Sequence, residues 1–209
     1  MKNLLFVFIA STQLYAGIAE FVGTPKTVTA SGVTAQVFPE AVLNTGDQKI
    51  NLKLTGFGIR KKPVLFTKVN VYVAASYLDD VSKVNLEQPL ASVKDAKARV
   101  MQLTFLRNLS GAEVRQSMEE ALILNEVDVN STAFQTLFNS FNFDISAGQT
   151  TTVVTFNKGG NLENVTIEVP STRFSTEGNF VGFDLWKGWF GIPADDGLKD
   201  LQPQLLTVK

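Results

Sequence analysis

The 209-residue sequence contains no cysteine and no histidine. The first absence excludes disulfides and thiol nucleophiles, the second excludes Ser-His-Asp triads, and together they remove Cys/His zinc sites. An excess of one charge is also missing. Lys and Arg number 19 against 20 Asp and Glu, and a net charge of -1 gives no bulk attraction for nucleic acid or an anionic membrane. No apolar run approaches the roughly 20 residues of a membrane-spanning helix. Tyr and Trp are scarce, at 3 and 2, whereas Phe reaches 16, enough to line a cavity as well as a core. Any chemistry therefore falls to Arg, Lys, Tyr, Ser, Thr, Asn or carboxylates. The adjacent pairs Asp79-Asp80 and Asp195-Asp196 read as caps or turns, since a hard cation needs more oxygens than either supplies. Neither a metal nor a cofactor is expected.

Lys2, the apolar stretch Leu4 to Ala10 and the smaller residues after it describe a secretory signal peptide. Cleavage is expected after Ala16 or Ala19, with Gly17-Ile18-Ala19 offering the better pair of small residues. No cysteine follows, so a lipoprotein anchor is excluded. The expected organisation is a signal peptide over 1–19 and one domain over 20–209. That domain would be exported without a stable membrane anchor, and the bacterial periplasm suits a cysteine-free chain.

Val33 to Phe38 alternates as a strand stopped by Pro39, and Asn44-Thr45-Gly46-Asp47 signals a turn. Ile50, Leu52 and Leu54 alternate with Asn51, Lys53 and Thr55, a half-buried strand. Arg60-Lys61-Lys62-Pro63 reads as a basic turn. A long strand segment over 64–78 follows, with Leu65, Thr67, Val69, Val71 and Val73 on one face. Val100 to Leu106 is another strand. Ser110 and Glu113 form a capping-box pattern ahead of a helix whose Val114, Met118, Ala121 and Leu122 share a face. Phe134, Leu137, Phe138 and Phe141 mark a second amphipathic helix, whose aromatic stripe reads as core. A hairpin over 150–169 turns at Lys158-Gly159-Gly160-Asn161. Phe180 to Phe190 is helical with Gly191 as its stop, and Asp195 or Asp196 starts a short last helix. Strands first, helices in the middle and a hairpin afterwards predict an α+β domain: an antiparallel sheet covered by helices on one face.

Gly56-Phe57-Gly58 lacks the later glycine and the helix of a dinucleotide fingerprint. Arg60-Lys61-Lys62, taken alone, reads as a solvated charge run. The Asn-x-Ser/Thr triplets at Asn108, Asn130 and Asn164 matter only in a glycosylating pathway.

Gly56-Phe57-Gly58-Ile59-Arg60 resembles the Gly-Ala-Gly-Val-Arg strand segment of plant members of the chalcone isomerase superfamily. Phe66-Thr67-Lys68-Val69-Asn70-Val71-Tyr72 resembles their next strand, and Leu109-Ser110-Gly111 the Leu-Thr-Gly that opens a helix. The short connection between the first two, and Trp189-Phe190-Gly191-Ile192-Pro193, are closer to the secreted bacterial chalcone-isomerase-like proteins. The resemblance implies an open-faced β-sandwich, a large antiparallel sheet overlaid by helices with ligand between the layers.

It also implies roles. In the enzymes the arginine matched by Arg60 stabilises the substrate oxyanion, and the threonine matched by Thr67 joins a hydrogen-bond network at the ketone. The catalytic tyrosine falls on Val114 and a substrate-binding asparagine on Ala121, neither able to donate a hydrogen bond. The superfamily also includes non-catalytic fatty-acid binders that keep the arginine to hold a carboxylate. Three expectations remain open. One is an exported, non-enzymatic binder of a small amphiphilic or aromatic ligand, a fatty acid first, lined by Arg60, Thr67, Val114 and Ala121. Another is an intramolecular lyase or isomerase using Arg60 and Thr67. The third is an interaction module whose cleft is filled by Phe.

Overall fold

The alternation at Ile50, Leu52 and Leu54 opens the longest strand of the molecule. In the computed structural model, which describes residues 17–46 and 48–207, twelve strands and five helices follow one another. Strands β1 (Ala19–Val22), β2 (Lys26–Ala30), β3 (Val33–Val37) and β4 (Glu40–Asn44) precede the long pair β5 (Lys49–Val64) and β6 (Thr67–Leu78). Then come α1 (Pro89–Lys94), β7 (Ala98–Phe105), β8 (Leu109–Ser110), α2 (Gly111–Leu124), α3 (Thr132–Asn139) and β9 (Asp144–Ile145). The chain finishes with β10 (Thr150–Gly159), β11 (Leu162–Val169), β12 (Thr172–Asn179), α4 (Val181–Phe190) and α5 (Asp196–Leu205). Eight strands form one antiparallel sheet in the order β1-β4-β5-β6-β7-β10-β11-β12. Of the residues 1–19 expected to form a signal peptide, 1–16 lie outside the described residues.

Strand parity divides the core. Ala74, Leu78, Met101, Leu103 and Val153 face the helices, where Leu122, Phe138, Leu185, Trp186 and Leu201 cover them. Val73, Ala75, Tyr77, Val100 and Val154 face the other way and pack with Ala35 and Val37 of the β2–β3 hairpin. The helices thus cover one face, as the order of elements predicts, and the hairpin shields part of the other. This is an α+β fold. Phe134, Phe138 and Phe141 join Phe174 of β12 in a run of ring contacts and belong to the core.

Two expectations fail around the β5–β6 connection. Arg60 to Pro63 is not a turn: β5 continues to Val64, and the reversal falls on Leu65-Phe66. Pro63 is tolerated because β4 pairs only with residues 49–53, so the far half of β5 has a free edge. Leu65 and Thr67 are exposed and do not share a buried face with Val73.

A one-residue irregularity between Leu54 and Gly56 positions the site. Before it, Ile50, Leu52 and Leu54 face the hairpin; after it, Phe57 and Ile59 do. The slip of one residue moves Gly56, Gly58 and Arg60 to the helix face. Thr55, the extra residue, is buried and its hydroxyl donates to the Leu205 carbonyl at 2.7 Å, with the Ser76 carbonyl also within reach at 3.1 Å. Helix α5 then lies directly on β5. A Cβ at Gly56 would collide with the Gln204 carbonyl oxygen, and one at Gly197 with the Lys61 carbonyl and Arg60 Nη1.

Candidate functional site

Between the sheet and the helices lies a cavity of about 450 Å³. Val71, Tyr72, Leu103 and Phe105 of β6 and β7 line its sheet side, and Val114, Met118 and Ala121 of α2 with Leu185 and Trp189 of α4 line its helix side. Arg60, Asp195 and Leu198 line it where β5 meets the start of α5. Lys62, Arg107, Glu113 and Glu120 are partly or fully exposed charges on its border. Among the described residues Phe105 is the single Phe lining it, so their phenylalanines leave this space unfilled.

The helix side is fixed by two different caps. Ser110 Oγ accepts from the Glu113 N–H at 3.2 Å while Glu113 Oε2 accepts from the Ser110 N–H at 2.8 Å, the predicted capping box. Donation to this carboxylate from the Ser110 N–H and from its hydroxyl, whose Oγ lies 3.0 Å from Oε2, helped by the charges of Arg107 and Lys62, holds the Glu113 carboxyl below its ordinary pKa. Helix α4 has no such residue: Phe180 occupies its N-cap in a left-handed conformation without a side-chain bond. Glu163 of β11 substitutes, its Oε2 accepting from the Phe183 N–H at 2.7 Å. Its other oxygen accepts from Arg99 at 2.9 Å, and Arg99 also donates to the Val93 and Lys94 carbonyls at the end of α1. This fully buried pair ties α1 and α4 to the sheet.

The polar end of the cavity gathers around Arg60. Its side chain is only 9% exposed, and Nη2 donates to Asp195 Oδ2 at 2.5 Å while Nη1 donates to the Lys61 carbonyl. Asp195 also caps α5, accepting from the Leu198 N–H at 3.0 Å. Partial burial works against its charge, but the Arg60 hydrogen bond, the Leu198 N–H and the guanidinium charge outweigh this and hold its carboxyl below the ordinary value. Tyr72 is the cross-strand partner of Arg60 and accepts from Trp189 Nε1 at 3.2 Å. Burial raises the pKa of its hydroxyl, opposed by Arg60 and Trp189. The phenol therefore stays protonated with its own hydrogen to donate.

Of the residues expected to form the site, Arg60, Val114 and Ala121 line this cavity and Thr67 does not. Thr67 stands exposed at the β5–β6 tip, its hydroxyl 3.5 Å from the Val64 carbonyl. Tyr72, Trp189 and Asp195 are the polar groups that sequence reasoning did not assign to the site. A larger groove of about 620 Å³ runs along the hairpin face, but its charged residues Lys26, Glu40 and Lys53 are all exposed. Among the described residues no cluster of three or more carboxylates is placed to hold a metal ion. Nor is any helix among them long and apolar enough to cross a membrane.

A largely apolar cavity with a buried arginine thus lies between a large antiparallel sheet and its helices in an α+β fold. The chain belongs to the chalcone isomerase-like family, whose sequence profile matches residues 31–202. It is similar in fold to the crystal structure of an Arabidopsis thaliana fatty-acid binding protein. The two share 18% identity, the match covers 87% of this chain and 98% of that one, and the TM-score is 0.51. No curated protein matches the sequence.

Proposed function

We propose that the protein is an exported, non-enzymatic binder of a small apolar anion such as a fatty acid, with the acid group at Arg60 and the chain against the walls of the cavity. The observation that carries this is the 450 Å³ cavity, apolar over most of its lining and polar at one end, where Arg60 and Tyr72 supply donors. The volume falls within the range of small-molecule sites, and a few placed polar groups in an apolar lining suit an amphiphile. A guanidinium has five N–H donors, so the contacts to Asp195 and Lys61 leave donors for a ligand oxygen. The binding of fatty acid by the Arabidopsis protein of the same fold supports the choice of ligand class.

The enzymatic alternative keeps Arg60 but loses Thr67 to the exposed tip, while 114 and 121 present only hydrocarbon. Export rests on the N-terminal Lys2 and apolar-run pattern. Cleavage after Ala16 fits the fold better than after Ala19. Ala19 is buried, begins β1 opposite Leu43, and follows Ile18, whose N–H donates to Glu168 at 2.8 Å. Native mass spectrometry of delipidated protein mixed with dodecanoic acid tests the binding directly. One bound acid per chain is the expected result, and a spectrum of unliganded protein at excess acid would refute the reading.

A further inference from the structure

The β5–β6 hairpin ends in an apolar point that nothing among the described residues covers. Leu65 is 94% exposed, Phe66 fully exposed and Val64 41% exposed. Leu65 adopts a φ of +51° at the first position of a two-residue turn, where glycine is the residue stability favours. A bulky apolar side chain is thus held in water at a position that local backbone preference disfavours. Around it stand Lys61, Lys62 and Lys68, all exposed. Lys68 pairs with Asp200 at 3.0 Å, whereas Lys61 and Lys62 enter no ion pair among the described residues. Lys61, Lys62 and Lys68 thus bring three cations to the tip; Asp200 pairs with Lys68, Asp195 and Asp196 act on it from beyond ion-pair distance, and Glu113 of α2 acts on Lys62. Lys62 also lines the cavity.

We propose that this hairpin tip is a membrane-docking element that inserts Leu65 and Phe66 among the acyl chains of an anionic lipid surface while Lys61, Lys62 and Lys68 lie at the headgroups. The shape favours a bilayer over a protein partner. A convex two-residue wedge offers far less than the roughly 800 Å² per side of an ordinary protein interface, but it suits a fluid that closes around it. The order of residues matches interfacial anchors, with apolar side chains at the point and long cationic ones behind to reach phosphates. Binding is weak and reversible, because two side chains and a few charges carry it. The proposal does not depend on what fills the cavity.

The test is co-sedimentation of ligand-free protein with phosphatidylcholine vesicles, either pure or containing about one-third phosphatidylglycerol. Wild type should pellet with the anionic vesicles at low salt, pellet much less with neutral ones, and be released as salt rises. Leu65→Ser/Phe66→Ser should weaken the partition roughly 100-fold, since each side chain leaving water contributes about tenfold or more. Its thermal melting should match wild type, because both side chains already stand in water. Lys61→Ala should weaken binding about fivefold. Wild type remaining in the supernatant at low salt would overturn the proposal, as would undiminished pelleting of the double serine variant. Self-association of wild type through the same two residues, without vesicle binding, would overturn it in favour of a second copy as the partner.

Discussion

Arg60 has two partners before any ligand arrives, the Lys61 carbonyl and the Asp195 carboxylate. On the proposed function, a ligand carboxylate would share the guanidinium with Asp195 and be repelled by it. This gives a sign that a purely structural arginine would not. Asp195→Asn keeps a side-chain oxygen to cap α5 but removes the competing charge. Affinity for dodecanoate should rise roughly three- to tenfold by calorimetric titration, with affinity for dodecanol unchanged. A common response of acid and alcohol would mean that the substitution acts on cavity shape. The same carboxylate sets a pH dependence. Its folded-state pKa lies below the unfolded value, so its contribution is complete above about pH 4 and is lost as pH falls through the folded value. In urea unfolding between pH 7 and pH 2.5, wild type should lose more stability than Asp195→Asn, with the difference confined to the acid end. At this scale sequence and structure agree unevenly. Arg60, Val114 and Ala121 were legible through the family motif. Asp195 was legible only as a helix cap, because its pairing with Arg60 spans 135 positions that no local pattern connects. Tyr72 closed the second matched motif, yet nothing in that spacing told that its hydroxyl would stand opposite Arg60 and meet Trp189 at the cavity.

The elements that hold the cavity meet at close approaches, and glycine marks one of them. At Gly56 no side chain fits between β5 and the Gln204 carbonyl, and the obstacle is backbone, which cannot swing aside. Gly56→Ala should therefore displace α5 and cost about 1–3 kcal/mol, measured by urea unfolding. Stability equal to wild type would show that α5 is free to ride outward. The Arg99–Glu163 pair is the other brace, and it is fully enclosed. Glu163→Ala removes the acceptor for the start of α4 and strands a buried guanidinium, so a loss of about 3–5 kcal/mol is expected. Most strands and helices were visible as periodicity, but the phase break within β5 was not recognised. The sequence carries it plainly: apolar residues at 50, 52 and 54 give way to 57 and 59. Strand β12 escaped notice because, as an edge strand with alternating exposure, it contributes only Phe174 as a large apolar side chain. The basic residues 60–62 looked like a turn because charge and a following proline ordinarily mark one. The free edge of β5 removes the usual objection to proline in a strand.

For the whole molecule, the two faces of the sheet carry different tasks. The hairpin face carries an open groove bordered by exposed charges, whereas the helix face holds 450 Å³ beside a buried cation. Pattern and motif together predicted a sheet under helices; the size of the remaining space depends on side-chain packing across four separate segments, which spacing does not encode. The most direct test of that space and its charge is one calorimetric comparison, titrating wild type and Arg60→Ala with dodecanoic acid and with dodecanol. The account predicts that wild type binds the acid at least fivefold more tightly than the alcohol. Arg60→Ala should then lose about ten- to a hundred-fold for the acid and little for the alcohol, as expected for a charge-assisted contact of roughly 1.5–3 kcal/mol. Equal affinities for acid and alcohol, unmoved by the substitution, would contradict it and leave Arg60 with no task beyond holding Asp195 and the start of α5.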